Sequence, residues 1–120
     1  MVLYRIPEAA MAELNALATN GVVDITSAAV MNSAFYRAIQ TETNLDASQL
    51  SNLPPETLLL IARIAASSTV HTVYMSFNYL GSHGPATATA LAASPTIHTV
   101  DMSCNDLGEH INIMNVRRCC

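Results

Sequence analysis

The four histidines fall into two pairs of equal separation: His71 with His98 (98 − 71 = 27) and His83 with His110 (110 − 83 = 27). Imidazoles brought side by side can ligate zinc, and Asp101 lies three residues beyond His98. Only two histidines would converge at a time, however, whereas structural zinc takes four ligands. Duplication of one ancestral histidine explains both pairs, so no metal and no cofactor is expected. Ser103 or Cys104 with His98 and Asp101 supplies the residue types of a nucleophile–base–acid set. That chemistry needs a pocket and oxyanion donors, which a flat repeated surface lacks. No enzymatic activity is expected. Glycine-rich phosphate loops, H-E-x-x-H and C-x-x-C patterns are absent from the sequence.

The chain ends Asn-Val-Arg-Arg-Cys-Cys. A terminal Cys119-Cys120 resembles the doubly geranylgeranylated tail of Rab-class small GTPases, and the adjacent arginines would favour an anionic membrane. The resemblance covers those few residues only and comes without the GTPase body. Lipidation of Cys119 and Cys120 is therefore held as an alternative, and no membrane partner is expected. Ile111, Ile113, Met114 and Val116 would line an unfinished last helix. Repeat stacks need polar caps, so either this end pairs with a second copy in a homodimer or the chain is a fragment of a longer array.

Composition narrows the remaining classes. The 120 residues fit one domain, 51% of them are apolar, and the formal charge is −4. Arg5, Arg37, Arg63, Arg117 and Arg118 are the only basic side chains besides histidine. No basic stripe exists to neutralise phosphates, which argues against nucleic acid. The N-terminus has no signal-peptide pattern, and Leu58 to Ala62, the longest strongly apolar run, is too short to span a bilayer. Three cysteines make no paired framework, so a reducing, cytoplasmic setting is the default.

The elements that would position these residues come from an internal repeat. Thr69 to His83 and Thr96 to His110 match at an offset of 27, with ten of fifteen positions identical, and Ala65-Ala66-Ser67 matches Ala92-Ala93-Ser94 at the same offset. Such a period marks stacked supersecondary units. Val73 and Met75, like Val100 and Met102, alternate as the inward side of a short strand. Asn78 and Asn105 can satisfy backbone groups where each strand turns away, stacked as a ladder. Pro55 and Pro85 open alanine- and leucine-rich helices. Pro7 to Ala18 reads as a helix ending at Gly21, and Ser33 to Gln40 as one capped by Ser33. Around Leu50 and Asn52 the asparagine position is out of register, so an insertion or irregular turn is expected.

Val70, Val73, Met75, Asn78 and Leu80 fall at the L-x-x-L-x-L-x-x-N-x-L spacing, as do Ile97, Val100, Met102, Asn105 and Leu107. The pattern resembles the leucine-rich repeat, and the Leu-Gly after it resembles the ribonuclease-inhibitor subfamily. The resemblance is specific over 65–111, moderate over 42–64 and architectural before that. It implies an α/β solenoid, a right-handed horseshoe segment with a parallel sheet on the concave side and helices on the convex side. The whole chain, 1–120, is read as one domain of about four helix–strand units, with strands near 22–26, 44–48, 72–76 and 99–103.

Aligned strands place outward side chains in columns. Asp24, Asp46, Tyr74 and Asp101 form an acidic row with one aromatic; Thr26, Ser48, Ser76 and Ser103 form a hydroxyl row; Ser27, Gln49, Phe77 and Cys104 form a third. His71, Thr72, His98 and Thr99 lie to the other side. The resemblance implies protein recognition through this face, by a partner with a basic or polar surface and with Tyr74 and Phe77 as anchors. Ribonuclease inhibitors, sensing ends of innate immune receptors and host-delivered bacterial effectors carry such arrays. A membrane-attached or self-assembling adaptor using the C-terminal end is the alternative.

Overall fold

The computed structural model describes residues 2–105, with the backbone of residues 116–117. Along the chain run β1 (Tyr4–Arg5), α1 (Glu8–Thr19), α2 (Ala28–Met31), α3 (Ala34–Ile39), β2 (Asn44–Asp46), α4 (Pro55–Ala66), β3 (Thr72–Tyr74), α5 (Gly84–Ala92), β4 (Thr99–Asp101) and β5 (Val116–Arg117). A 3₁₀ turn, Gly81–His83, leads into α5. The strands form one sheet in sequence order, every neighbour parallel. Parallel strands need a crossover, and the helices supply it: α1 packs on α4, and α4 on α5. The fold is therefore mixed α/β, a parallel sheet with helices.

Register puts like residues together. Leu45, Val73 and Val100 are aligned across β2, β3 and β4; they are buried, as are Ala47, Met75 and Met102 two residues further along. Alternation sends these side chains to one face of the sheet, where Leu14, Leu58, Ile61, Ile64 and Leu91 complete the core. Full burial of each large apolar side chain contributes roughly 1.5–3 kcal/mol. α5 contributes less than α4: it buries Leu91 and Ala88 with Gly84 and Thr87, in keeping with its alanine-rich sequence.

Helix ends follow their local chemistry. Beyond α1, the Gly21 N–H donates to the Ala18 carbonyl and the Val22 N–H to the Leu17 carbonyl, each at 3.0 Å. Gly21, at φ +81°, takes the left-handed position that this closure requires. Ser33 caps α3 by accepting from the Tyr36 N–H at 3.3 Å, and Ser27 caps the short α2 through the Val30 N–H at 3.4 Å. Pro55 is the first residue of α4, where its missing N–H costs no helical bond.

The expectation of a first strand near 22–26 is corrected. No strand forms over Val22 to Ser27: Val23 is 63% exposed, and Val22 and Ile25 are only partly buried against the core. The Asp24 carboxylate accepts from the Thr26 N–H at 2.9 Å and the Thr26 hydroxyl at 2.6 Å, a local turn that competes with strand pairing. The edge position is taken by Tyr4–Arg5, paired with Leu45–Asp46. The rung offset is thus 41 residues there (45 − 4), against 28 for β2 to β3 (73 − 45) and 27 for β3 to β4 (100 − 73). Turns and α2 fill the additional length of the first unit.

Two buried asparagines tie the rungs where the strands end. Asn78 Nδ2 donates to the Ala47 and Met75 carbonyls, both at 2.9 Å, and its Oδ1 accepts from the Leu50 N–H at 2.6 Å. Asn105 repeats this one rung on: Nδ2 donates to Met75 at 2.8 Å and Met102 at 3.0 Å, while Oδ1 accepts from the Asn78 N–H at 2.9 Å. One rung earlier, 28 residues before Asn78, stands the buried Leu50, and Asn52 is exposed. That is the irregular turn expected from the register slip. Truncating Asn78 strands several buried backbone groups, each worth about 1–3 kcal/mol. Asn78→Ala is expected to lower the free energy of unfolding by about 3 kcal/mol, and Asn52→Ala by less than about 0.5 kcal/mol, as read by urea denaturation. Equal effects would show that the carboxamide ladder is not a principal tie.

Candidate functional site: the strand face

Residues that follow the buried Leu45, Val73 and Val100 point away from that column and remain partly accessible. In register across the sheet stand Arg5, Asp46, Tyr74, Asp101 and Arg117. The expected row of Asp46, Tyr74 and Asp101 is therefore present as a row. Asp24 is not in it, because its segment forms no strand. Arg5 takes that place, its guanidinium 3.3 Å from the Asp46 carboxylate and also donating to the Ser48 carbonyl. The face is consequently not uniformly acidic. Sequence reasoning missed Arg5 because a strand of two residues carries no periodic signal.

The two aspartates share one geometry. Asp46 Oδ1 accepts from the Ser48 N–H at 3.1 Å and hydroxyl at 2.6 Å, and Asp101 Oδ1 accepts from the Ser103 N–H at 3.0 Å and hydroxyl at 2.6 Å. Each D-x-S unit thereby closes its own turn. On β3 the unit is Tyr74-Met75-Ser76, which has no carboxylate at that position. The same turn at Asp24 holds that exposed carboxyl below the usual range, chiefly through the Thr26 hydroxyl and then its N–H.

The third column carries a repeated backbone feature. Gln49, Phe77 and Cys104 lie at φ 57°, 59° and 60°, and Tyr79 at 52°. Left-handed backbone is rare for bulky residues and marks strain. The buried Asn78 lies between Phe77 and Tyr79, whose side chains face solvent at 42% and 71% exposure. A loop anchored by its asparagine thus holds two aromatic rings outward. Tyr79 was not anticipated; its signal was its spacing two residues from Phe77, astride the asparagine.

On the other side of the strands His71 and His98 are exposed, their ring centres 5.3 Å apart at 60°. Thr99 is half-buried, and its hydroxyl lies 3.0 Å from His98 Nδ1. Thr72 departs from expectation: it is only 8% exposed and offers little contact surface. Ser48, Ser76 and Ser103 are half-buried. The set of Ser103 or Cys104 with His98 and Asp101 does not assemble. His98 is engaged by Thr99, Ser103 donates to Asp101, and Cys104 is disulfide-bonded and so holds no thiolate. Cys119 and Cys120, the expected lipidation sites, and the C-terminal homodimer contact lie outside the described residues.

A cleft of about 690 Å³ lies on the helix side, lined by α4 and α5 residues that include Arg63, Ala66 and Ala90, with Ile25. None of the anticipated contact residues lines it. No helix among the described residues is long and apolar enough to cross a membrane.

Left-handed strain at Phe77 gives a direct test of its backbone. Relief of about 1–2 kcal/mol by glycine is offset by roughly 0.5–1 kcal/mol of added chain entropy. Phe77→Gly is therefore expected to be more stable than Phe77→Ala by up to about 1 kcal/mol in thermal or urea unfolding, the reverse of the order at an ordinary position. Comparison with protein-family models, with curated proteins and with solved structures gives no significant match.

Proposed function

We propose that the chain is a leucine-rich-repeat segment, an α/β solenoid of the ribonuclease-inhibitor type, that recognises another protein through its strand face. The observation carrying this reading is the pairing of β2, β3 and β4 at offsets of 28 and 27 residues with the asparagine carboxamides repeating between rungs. Strands stacked so present equivalent side chains in columns, an extended surface suited to a protein partner. Phe77 and Tyr79 supply aromatic anchors, the residue type most enriched in binding hot spots. Of the two carboxylates in the row, Asp46 is engaged by Arg5, and Asp101 holds the Ser103 hydroxyl through Oδ1.

The test is an affinity capture with the intact chain, followed by measured binding of the captured partner. Replacing Phe77 and Tyr79 together by alanine is expected to weaken binding at least about 30-fold, the equivalent of a 2 kcal/mol hot spot. Arg37→Gln, an exposed change on α3, should leave it unchanged. A partner that is lost with the helix-side change and retained by the aromatic double variant would transfer the function to the opposite surface.

A further inference from the structure

We infer that His71 and His98 form a two-imidazole site for a divalent transition metal of the copper–nickel–zinc group, with its remaining coordination positions taken by water. Backbone pairing fixes both residues. The His71 N–H donates to the Thr43 carbonyl at 2.8 Å, and the His71 carbonyl accepts from the N–H groups of His98 at 2.9 Å and Thr99 at 3.3 Å. The rings consequently rise from adjacent rungs, and their centres are 5.3 Å apart. A metal held about 2.0–2.1 Å from one nitrogen of each ring lies about 3.2 Å from each ring centre, and a tetrahedral angle then separates the centres by about 5.2 Å. The observed centre spacing of 5.3 Å matches that value; the rings stand edge-on at 60°, so side-chain rotation with the backbone in place is what turns one nitrogen of each toward a shared ion.

The partner of His98 prepares the ring for this role. His98 Nδ1 lies 3.0 Å from the Thr99 hydroxyl; in the tautomer whose Nδ1–H donates to that oxygen, Nε2 keeps the lone pair that a metal needs. Such a second hydrogen bond orients a ligating histidine and selects its tautomer. Both imidazoles are exposed, so a hydrated ion reaches them without a desolvated path. No group of three or more histidine, cysteine, aspartate or glutamate side chains that could hold a metal occurs among the described residues. The site therefore binds an exchangeable ion and is not a structural centre of the zinc-finger kind. A formal charge of −4 on the chain favours cation approach.

The experiment is calorimetric titration of the full chain with nickel, copper and cobalt salts, using the ion alone. One ion per chain is expected, with affinity rising from cobalt through nickel to copper as for any site of nitrogen donors. His71→Asn and His98→Asn are each expected to lower nickel affinity at least about tenfold, and Thr99→Val, which removes only the orienting hydroxyl, by about tenfold at most. His83→Asn should have no effect. All four are exposed or half-buried positions, and circular dichroism of each variant reports retained folding. Absence of saturable binding at millimolar nickel, or binding that survives either His71→Asn or His98→Asn, overturns the inference. Binding of the ion alone requires no protein partner, so failure here leaves the recognition reading intact, and failure of that reading leaves the metal site intact.

Discussion

Side-by-side closure of parallel rungs at their strand ends is the constraint on which the remainder of the molecule depends. A parallel strand of three residues forms few ladder bonds, and its carbonyls go unpaired as soon as the chain turns toward the next helix. Asn78 and Asn105 supply both a donor and an acceptor at that point, binding their own strand end and the neighbouring one. Because each carboxamide spans two rungs, a slip of one residue would leave buried polar groups without partners. Register is thereby held by polar satisfaction and by burial of the same columns of valine, leucine and methionine.

From that closure the shape of the strand face follows. Residues that follow each buried column cannot turn inward, so Asp46, Tyr74 and Asp101 are displayed, whereas Thr72 on the other side of Val73 is covered. Where the residue is aspartate it closes a turn on the serine two positions later; where it is tyrosine it does not. The left-handed residue before each asparagine position carries a side chain outward at each rung, and on the β3 rung that side chain is phenylalanine. Strain and exposure of a large apolar ring in one position run against folding economy, a cost that the proposed binding role of this face would explain.

Helices contribute differently along the chain. Leucine and isoleucine in α4 fill the centre of the core, whereas α5 carries alanine and threonine and lets the adjoining surface open into a cleft. The first unit departs furthest from the repeat: a Schellman closure at Gly21, an Asx turn at Asp24 and the short α2 lengthen it to 41 residues between paired positions. Those additional residues bring Ile25 to the cleft wall.

Reading the residues alone identified the units around β3 and β4, the inward columns, the asparagine ladder, the capping serine of α3 and the row Asp46–Tyr74–Asp101. These were legible because each rests on local spacing repeated at a constant offset, and local spacing is what a sequence records directly. The edge strand was not legible: two residues show no period, while Val23 to Ile25 imitates a strand that pairs with nothing in the sheet, with Val23 exposed and Ile25 half-buried. Pairing of Arg5 with Asp46, cover over Thr72 and the outward hold on Phe77 and Tyr79 also required the tertiary structure. Each is a relation between segments distant in the chain, as with Arg5 and Asp46 at a separation of 41 residues, or a backbone angle selected by a neighbouring rung, and neither quantity is a property of a residue's own surroundings in the chain.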